Sequence, residues 1–397
     1  MTTANPLSWL GEQLDAWRKA GTYQRLRQLE SACEPISRVD GREVINLASN
    51  NYLGLANHPK LVEAAIDAAS KYGAGSGAVR TISGTMDIHM ELERRIAAFK
   101  KVEACVVFQS GFTANAGTVS GILSPEDHII SDALNHASII DGCRLSRAKI
   151  HVFPHRDVDT AEAKLRDLAD KPGRKLLITD GVFSMDGDIA PLPALVELAE
   201  RYGAIMMIDD AHSSGVLGTN GRGTVDHFNL HGRVDIQVGT LSKAVGVLGG
   251  YVCGSRDLID YLYHRARPFL FSTSHPPAVV GACLAAFDLL ESEPERIQEL
   301  WDNTRYFKDA LQREGFDTGA SETPITPIIV GEARTAHEFS AELFREGLWA
   351  TGIGFPTVPR GKARIRTIVT AAHTREQLDR AVSTLTRVAR RMAILPV

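Results

Sequence analysis

The sequence predicts an α/β fold with a large domain, in which a mostly parallel sheet is covered by helices, and a smaller C-terminal α+β domain. The first observation is the alternation of helical periods with short apolar strands between residues 61 and 290. This alternation is typical of parallel strands joined by crossover helices. The second observation is a change of pattern after Pro294, where strands and helices no longer alternate strictly. We therefore expect an N-terminal arm over residues 1–55, a large domain over 56–290 and a small domain over 291–397.

The N-terminal arm is predicted to contain a helix and a hairpin. A helix over residues 6–28 is expected from apolar residues at helical spacing, namely Leu7, Leu10, Leu14 and Trp17. The Asp40-Gly41 pair predicts the tight turn of a short hairpin. An arm of this size cannot bury much apolar surface alone.

The elements of the two domains follow from periodicity. In the large domain, helices are expected over 61–72 and 192–202, and apolar strands over 105–109, 175–180, 205–210 and 236–238. In the small domain the same reasoning predicts a helix over 296–315, a strand over 326–330, a helix over 336–347, a strand over 363–369 and a final helix. No internal repeat or low-complexity segment interrupts this order.

Composition excludes several classes of protein. Of the 397 residues, 44% are hydrophobic and 23% charged, as in soluble globular proteins. A formal net charge of -4 gives no general attraction for nucleic acid or an anionic membrane. The chain lacks a signal-peptide core and any run of roughly 18 apolar residues, so a cytoplasmic location is expected. The cysteines lack the spacing of zinc or redox motifs and are expected to be reduced: Cys33, Cys105, Cys143, Cys253 and Cys283.

Lys243 is the residue that points most directly to chemistry. It follows a short apolar strand within Gly239-Thr240-Leu241-Ser242-Lys243, and another strand ends at Asp209-Asp210-Ala211-His212. Reactive groups gather at the carboxyl ends of parallel strands. A lysine amine that condenses with an aldehyde, and a carboxylate that keeps a pyridine nitrogen protonated, are the two groups that pyridoxal 5'-phosphate (PLP) requires. Either Asp209 or Asp210 could supply that carboxylate.

Other strand ends carry polar residues with weaker signals. Gly111 opens a helix after a strand, so its backbone N-H groups could hold a phosphate. His136 also follows a strand and could stack on a planar ring. The acids and glycines of residues 180–188 do not have the spacing of an EF-hand loop, and we expect no metal. Arg364 and Arg366 share one face of a strand, where one could bind a substrate carboxylate and the other is expected at the surface.

Several short segments of the sequence, in fixed order, resemble those of the α-oxoamine synthase family. They are NNYLGL at 50–55, SDALNHASIIDG at 131–142, TDGVFSMDG at 179–187, DDAH at 209–212, TLSK at 240–243 and AAHT at 371–374. The resemblance covers the chain from about residue 46 to the last helix. It implies a PLP enzyme of fold type I that condenses an amino acid with an acyl-CoA, acting as a homodimer whose active sites use both subunits.

The resemblance also implies a role for each matching residue. Lys243 becomes the Schiff-base lysine and catalytic base, and His136 stacks over the ring and assists at the substrate carbonyl. The implied cofactor contacts are Asp209 at the ring nitrogen, His212 at the phenolic oxygen, Ser184 beside the ring, and Gly111, Phe112 and Thr240 at the phosphate. Thr273 and Ser274 would reach the phosphate of the neighbouring subunit. Asn50 and Arg366 would bind the amino acid carboxylate.

Two reactions of this family are compatible with the sequence. The favoured expectation is condensation of glycine with acetyl-CoA to 2-amino-3-oxobutyrate and CoA, as in glycine C-acetyltransferase, with relaxed acyl selectivity. The reason is Gly354, which stands where the biotin-pathway enzymes tend to carry an arginine, so that Gly354 and Phe355 would leave an uncharged pocket. The alternative is decarboxylating synthesis of 8-amino-7-oxononanoate from alanine and pimeloyl-CoA, or both activities.

The other hypotheses are a different class of enzyme or a protein without catalytic activity. An aminotransferase would use Lys243 and Asp209 identically, so these residues do not discriminate against it. A cofactor-holding regulatory protein is disfavoured by the number of site residues. A nicotinamide enzyme is disfavoured because the glycines at 246–250 lack the required spacing. His264, Arg265 and Arg267 could bind CoA phosphates or only stabilise a surface helix, and the sequence leaves this open.

Overall fold

The computed structural model describes residues 5–396, which form two compact units. One unit contains residues 50–301, and the other contains residues 1–49 together with 302–397. The predicted domain boundaries at 55 and 290 lie near these divisions. The predicted N-terminal arm belongs to the second of these units, because residues 45 and 46 pair in parallel with residues 348 and 349.

Thirteen strands and fourteen α-helices are assigned within the described residues. The strands are β1 Ile36–Val39, β2 Arg42–Asn46, β3 Ala104–Phe108, β4 His128–Asp132, β5 Lys149–Phe153, β6 Lys175–Asp180, β7 Ile205–Asp209, β8 Ile236–Thr240, β9 Gly250–Gly254, β10 Ile325–Gly331, β11 Leu348–Trp349, β12 Thr351–Ile353 and β13 Ala363–Ile368. The helices are α1 Ser8–Ala20, α2 Pro59–Tyr72, α3 Asp87–Lys100, α4 Gly111–Ile122, α5 Ala137–Ser146, α6 Val158–Asp167, α7 Leu192–Tyr202, α8 Thr224–His227, α9 Arg256–Arg265, α10 Arg267–Leu270, α11 Pro277–Ser292, α12 Glu295–Arg313, α13 Ala333–Arg345 and α14 Arg375–Arg391.

The larger unit is built on a seven-stranded sheet in the order β3-β9-β8-β7-β6-β4-β5. Only β9 runs antiparallel to its neighbours, so the predicted mostly parallel sheet is confirmed. Apolar side chains alternate between its two faces: Met207 and Ile178 belong to one buried cluster, and Met206 and Leu177 to another. Helices cover both faces because a sheet with two apolar faces must bury both.

The smaller unit has two three-stranded sheets, in the orders β1-β2-β11 and β10-β13-β12. Helices α12, α13 and α14 supply apolar residues to one buried cluster, among them Phe307, Phe339 and Leu385. The predicted small α+β domain is therefore confirmed, with the N-terminal hairpin added to it.

Helix α1 is shorter than the predicted helix and ends at Ala20, where Gly21 adopts a left-handed conformation with φ of 70°. None of its residues is buried within the chain. Its apolar side chains Trp9 and Trp17 remain about half exposed. None of the helices within residues 5–396 combines the length and apolar character that a membrane span requires.

Candidate active site

The parallel strands of the large sheet end in polar residues at one edge. Asp132 closes β4, Asp180 closes β6, Asp209 closes β7 and Thr240 closes β8. Strands β6 and β7 pair in parallel register with Asp180 opposite Asp209. Because the carboxyl ends of parallel strands meet at one edge, the loops after these strands form a common site.

Lys243 lies in a tight turn just beyond β8. The turn is closed by backbone hydrogen bonds from Leu241 N to Gly249 O and from Gly246 N to Lys243 O, each 2.9 Å long. Gly246 has a φ of 78°, and a Cβ atom added to it would lie 2.7 Å from Ala56 N. Only glycine fits this position. The half-buried Lys243 is thus fixed to the sheet edge by its backbone.

Asp209 and Asp210 have different partners, although the sequence does not separate them. The carboxylate of Asp209 accepts hydrogen bonds from Asn115 Nδ2 at 2.6 Å and from Ala211 N at 2.8 Å. Asp210 is fully buried and accepts from Lys100 Nζ at 2.7 Å. The ion pair with Lys100 occupies Asp210, so the predicted contact with a cofactor ring falls to Asp209 and stays a prediction.

His212 is held by a contact with a residue that is distant in the sequence. Its Nδ1 atom lies 2.8 Å from the hydroxyl of the buried Tyr52. Tyr52 follows Asn50 and Asn51 in the segment NNYLGL, the first of those that resemble the family. Tyr52 therefore orients the imidazole that follows Asp209 and Asp210 in the chain.

His136 is the N-cap residue of α5 and lies beside two carboxylates. Its backbone N-H donates to Asp180 Oδ2 at 2.7 Å. Burial among protein atoms lowers the pKa of His136; the charge of Asp209 acts against this change and that of Lys243 adds to it. Burial, followed by the charge of Asp209, raises the pKa of Asp180 well above its ordinary value. The site therefore favours a neutral imidazole.

The start of α4 packs closely against the end of β8. A Cβ atom on Gly111 would lie 3.3 Å from Thr240 Cβ. Ser110 caps the helix by accepting a hydrogen bond from Thr113 N at 3.1 Å. The Thr240 hydroxyl lies 2.7 Å from that of Ser242. The start of α4 thus lies close to two hydroxyls, and Phe112 in its first turn is partly exposed.

The remaining predicted residues of the larger unit lie in loops. Ser184 is half-buried in the turn after β6, where Gly187 N donates to Phe183 O at 2.8 Å. Asn50 accepts a backbone hydrogen bond from Tyr52 N at 2.8 Å. These positions agree with loops at the site edge, and their roles stay predictions.

Thr273 and Ser274 differ in exposure. Thr273 is exposed, and its carbonyl accepts from Gln109 Nε2 at 2.7 Å. Ser274 is buried, and its hydroxyl donates to Gly84 O at 2.6 Å. Ser274 is therefore engaged within its own chain, whereas the Thr273 side chain is accessible.

Arg366 belongs to the smaller unit and lies on β13 together with Arg364. Both are buried, with 9% and 3% of their surface exposed. The expectation that one of them is a surface arginine is wrong. Arg364 Nε donates to Lys362 O at 3.1 Å, and Arg366 pairs in register with Pro327 and Thr351.

Gly354 has a packing explanation that the sequence does not reveal. A Cβ atom added to it would lie 2.6 Å from the Cβ of Ala333 on α13, so an arginine there would displace the helix. The expected uncharged pocket also needs correction, because the Arg360 guanidinium lies 4.3 Å from the centre of the Phe355 ring. Gly354 therefore gives no information on the acyl group.

One cavity of about 680 Å³ is lined by the three basic residues whose role the sequence does not decide. His264, Arg265 and Arg267 surround it together with Ser120 and Phe271. The Arg267 guanidinium lies 5.0 Å from the centre of the Phe271 ring. The cavity has the charge for a phosphate group but holds no further sign of one.

The residues at the sheet edge fit PLP on chemical grounds. A buried carboxylate, Asp209, suits a protonated ring nitrogen, and the amine of Lys243 follows the next strand of the sheet. Gly111 approaches Thr240 closely and opens helix α4, and the backbone N-H groups of a helix start suit a phosphate. No group of three or more His, Cys, Asp or Glu side chains within residues 5–396 is arranged to hold a metal ion.

Asn115, Ser138, Tyr52 and Asp180 also belong to this site, and sequence reasoning did not single them out. Asn115 contacts Ser138, 23 residues away, and Tyr52 contacts His212, 160 residues away. Periodicity and turn signals report local structure, so contacts at these separations leave no local signal. Only the segments that resemble the family, which contain Tyr52, Ser138 and Asp180, could have drawn attention to three of them.

Comparisons with known proteins agree with this geometry. Residues 42–385 match the family model of class I and II aminotransferases. The 8-amino-7-oxononanoate synthase of Symbiobacterium thermophilum is 61% identical over 98% of this chain and 99% of its own. The 8-amino-7-oxononanoate synthase 1 of Bacillus subtilis is 56% identical over 98% of each chain.

Solved structures give the same result. Serine palmitoyltransferase from Sphingomonas wittichii superposes with a TM-score of 0.94 at 31% identity, covering 99% of this chain and 100% of that one. A serine palmitoyltransferase from S. paucimobilis with bound PLP and myriocin has a TM-score of 0.93 at 31% identity, over 98% of this chain and 100% of that one. The 8-amino-7-oxononanoate synthase of Francisella tularensis has a TM-score of 0.74 at 28% identity, over 88% and 99%.

Proposed function

Since the chain belongs to the class I and II aminotransferases, and within them to the PLP-dependent α-oxoamine synthases, we propose that it is an 8-amino-7-oxononanoate synthase. It joins alanine to a pimeloyl thioester, either pimeloyl-CoA or its carrier-protein form. The new bond links the alanine Cα to the thioester carbonyl carbon. CoA leaves as the thiol, the alanine carboxylate leaves as CO2, and a proton takes its place on Cα.

The observation that supports this choice is the full-length similarity to relatives of that name. The expectation of glycine with acetyl-CoA depended on Gly354, which is explained by packing against Ala333. With that argument removed, the short acyl group loses its main support. The same relatives favour acyl transfer over the aminotransferase alternative.

Residues at the carboxyl ends of β7 and β8 carry the proton chemistry. Bound PLP supplies an aldehyde carbon for the substrate amine and a cationic ring that accepts electron density from Cα. Asp209 holds the proton on the ring nitrogen, and two N-H donors stabilise its carboxylate. Lys243 takes the proton from the alanine Cα. A lysine amine in its unprotonated form can act as a general base of this kind.

The other site residues orient the cofactor and substrate. His136 would stack on the ring and contact the reacting carbonyl oxygen, and His212, held by Tyr52, would contact the phenolic oxygen. Ser184 lies beside the ring. Gly111, Phe112 and Thr240 hold the phosphate. Asn50 and Arg366 are the proposed partners of the alanine carboxylate.

We further propose that two copies of the chain form the functional enzyme. The larger unit exposes apolar side chains such as Ile82, Leu145 and Phe271, of which 81%, 62% and 70% of the surface is accessible. Burial of these side chains stabilises a dimer. In the dimer, Thr273 contacts the phosphate in the partner subunit, while Ser274 supports it by holding Gly84.

A substrate panel tests the proposed reaction. The PLP-loaded enzyme is incubated with alanine or glycine and with pimeloyl-CoA or acetyl-CoA, while free thiol is measured and the product is identified by mass. We expect alanine with pimeloyl-CoA to give the fastest CoA release and 8-amino-7-oxononanoate. Faster turnover of glycine with acetyl-CoA would overturn the proposal. Lys243→Ala is the control and should release no CoA above background.

A further inference from the structure

A continuous chain of hydrogen bonds joins His136 to Asp209 through two buried residues. Asn115 Nδ2 lies 2.6 Å from Asp209 Oδ2 and 3.0 Å from Ser138 Oγ. Ser138 Oγ lies 2.7 Å from His136 Nδ1. Asn115 and Ser138 are 0% and 1% exposed, so water does not compete for these contacts. These hydrogen bonds connect residues on β7, on α4 and at the start of α5.

The chemistry of the groups fixes the direction of each hydrogen bond. A carboxylate only accepts, so the Asn115 atom that faces Asp209 is the amide nitrogen. Reversing the amide would place two oxygens 2.6 Å apart, although the present orientation leaves Asn115 Oδ1 without a partner among residues 5–396. The second proton of Nδ2 points to Ser138 Oγ, which therefore accepts. The single hydroxyl proton of Ser138 then points to His136 Nδ1.

A second hydrogen-bond donor points to Nδ1 of the His136 imidazole. The backbone N-H of Ser138 also points to His136 Nδ1, at 3.2 Å. With two N-H or O-H donors directed at it, Nδ1 has to present a lone pair. A neutral imidazole carries one proton, and that proton is then on Nε2.

We propose that Asn115 and Ser138 are positioning residues that hold His136 as the neutral Nε2-H tautomer, so that His136 donates a hydrogen bond through Nε2 and does not act as an imidazolium acid. The proposal deepens the proposed function, on which it rests for the identity of the reacting carbonyl oxygen. The anionic end of the chain is Asp209, so the carboxylate that serves the ring nitrogen also sets the tautomer of the ring-stacking histidine.

The charged groups around His136 are consistent with a neutral ring. Asp180 on β6 accepts from the His136 backbone N-H, Asp209 lies at the end of β7, and Lys243 follows β8. Burial lowers the pKa of His136 and outweighs the opposing charge of Asp209. A proton added at Nδ1 would also meet two donors, which penalises the imidazolium further.

This tautomer has a definite use in acyl transfer. When Cα attacks the thioester carbonyl, negative charge develops on its oxygen, and a fixed N-H donor stabilises that charge without first losing solvent or rotating. A neutral donor keeps its proton, so it does not remove the charge needed to expel the thiolate. The supply of protons is left to Lys243.

Nitrogen NMR of the holoenzyme tests the tautomer directly. Protein labelled with 15N-histidine is loaded with PLP, and the His136 signals are assigned by their loss in His136→Asn. We expect a proton on Nε2 and none on Nδ1 between about pH 6 and pH 8. Ser138→Ala should allow a proton on Nδ1, whereas Ser138→Thr should restore the wild-type pattern. A wild-type His136 protonated at Nδ1, or a tautomer unchanged in Ser138→Ala, would contradict the inference.

Kinetics give a second readout and a matched control. Ser138→Ala is expected to lower kcat about tenfold with little change in the KM for the thioester, because one oriented donor is lost. Ser146→Ala removes a buried hydroxyl from the other end of α5, where it donates to Cys143 O, and should leave kcat and the His136 signals unchanged. The NMR result does not depend on which acyl thioester reacts. Failure of the proposed function would therefore appear in the substrate panel, and failure of this inference in the tautomer.

Discussion

At the scale of single residues, Lys100 and Asp210 show how a buried ion pair supports the site. Both side chains are 0% exposed. Lys100 Nζ also donates to Arg222 O at 2.5 Å, and Asp210 accepts from Ser213 Oγ at 2.6 Å. These contacts hold the turn that begins directly after Asp209. The pair is therefore structural, although it adjoins Asp209, the carboxylate proposed to serve the ring.

Removing one partner of this pair should be costly. Lys100→Met leaves the Asp210 carboxylate buried without its cation, and we expect a loss of roughly 3 kcal/mol or more in the free energy of unfolding. Urea unfolding of wild type and variant measures it. Arg233→Met breaks an exposed ion pair with Glu200 and should change stability little. Equal losses in the two variants would show that burial of the Lys100 pair is not the cause.

His155 gives the fold a dependence on pH. Its ring nitrogens contact Asp132 at 3.0 Å and Asp188 at 2.8 Å. Burial opposes the charged ring, but these two carboxylates outweigh it and raise the pKa of His155 to about 9. Because the folded-state pKa is the higher one, the contribution to stability is complete below the unfolded pKa of about 6.5 and disappears as the pH rises through about 9.

Thermal unfolding of His155→Gln tests this dependence. We expect the Tm difference from wild type to be largest near about pH 6 and to shrink toward about pH 9.5. His227→Gln changes an exposed histidine and should shift Tm little at either pH. A His155→Gln difference that stays constant or grows with pH would contradict the assigned protonation.

At the scale of elements, the sequence predicts the large sheet better than the terminal arm. Strand β6 and helix α7 begin and end at the predicted residues, and β7 and β13 each end one residue early. These elements are strongly apolar or amphipathic and have clear turn residues beside them. Helix α1 ends eight residues before its prediction at 28, since Gly21 takes a left-handed conformation and none of α1 is buried. Without burial, periodicity alone does not fix a helix end.

The contact between the 354 loop and α13 makes an element-scale prediction. Gly354→Ala would bring two Cβ atoms to 2.6 Å, and we expect a loss of about 1 to 3 kcal/mol in the free energy of unfolding. Chemical denaturation measures it. Gly11→Ala, in α1 with open space around it, should be neutral or slightly stabilising because alanine favours helix. A Gly354→Ala protein as stable as Gly11→Ala would remove the packing explanation of Gly354.

At the scale of the whole molecule, part of the site could be predicted from the sequence. Lys243, Asp209, His136 and Thr240 could be placed at one sheet edge because parallel strands end together. The choice of Asp209 over Asp210 could not be made, since it depends on Lys100. The expectation for the acyl group rested on the absence of an arginine at 354, which has a steric cause in Ala333 that only the packed structure reveals.

The subunit arrangement gives a whole-molecule prediction. Light scattering after size-exclusion chromatography should give about twice the chain mass of 43.2 kDa. Ile82→Asp places a charge on a side chain that is 81% exposed in the single chain, and it should shift the population toward monomer with loss of activity, because burying an unpaired charge is unfavourable. A wild-type protein that is monomeric and fully active would contradict a site shared between subunits.

The central claim is decarboxylating acyl transfer to alanine, and the fate of the alanine carboxyl carbon tests it most directly. The PLP-loaded enzyme is given carboxyl-labelled alanine and pimeloyl-CoA, and labelled CO2, free CoA and product are measured together. We expect one labelled CO2 for each CoA released and an unlabelled 8-amino-7-oxononanoate. Label retained in the product, or CoA released without labelled CO2, would contradict it.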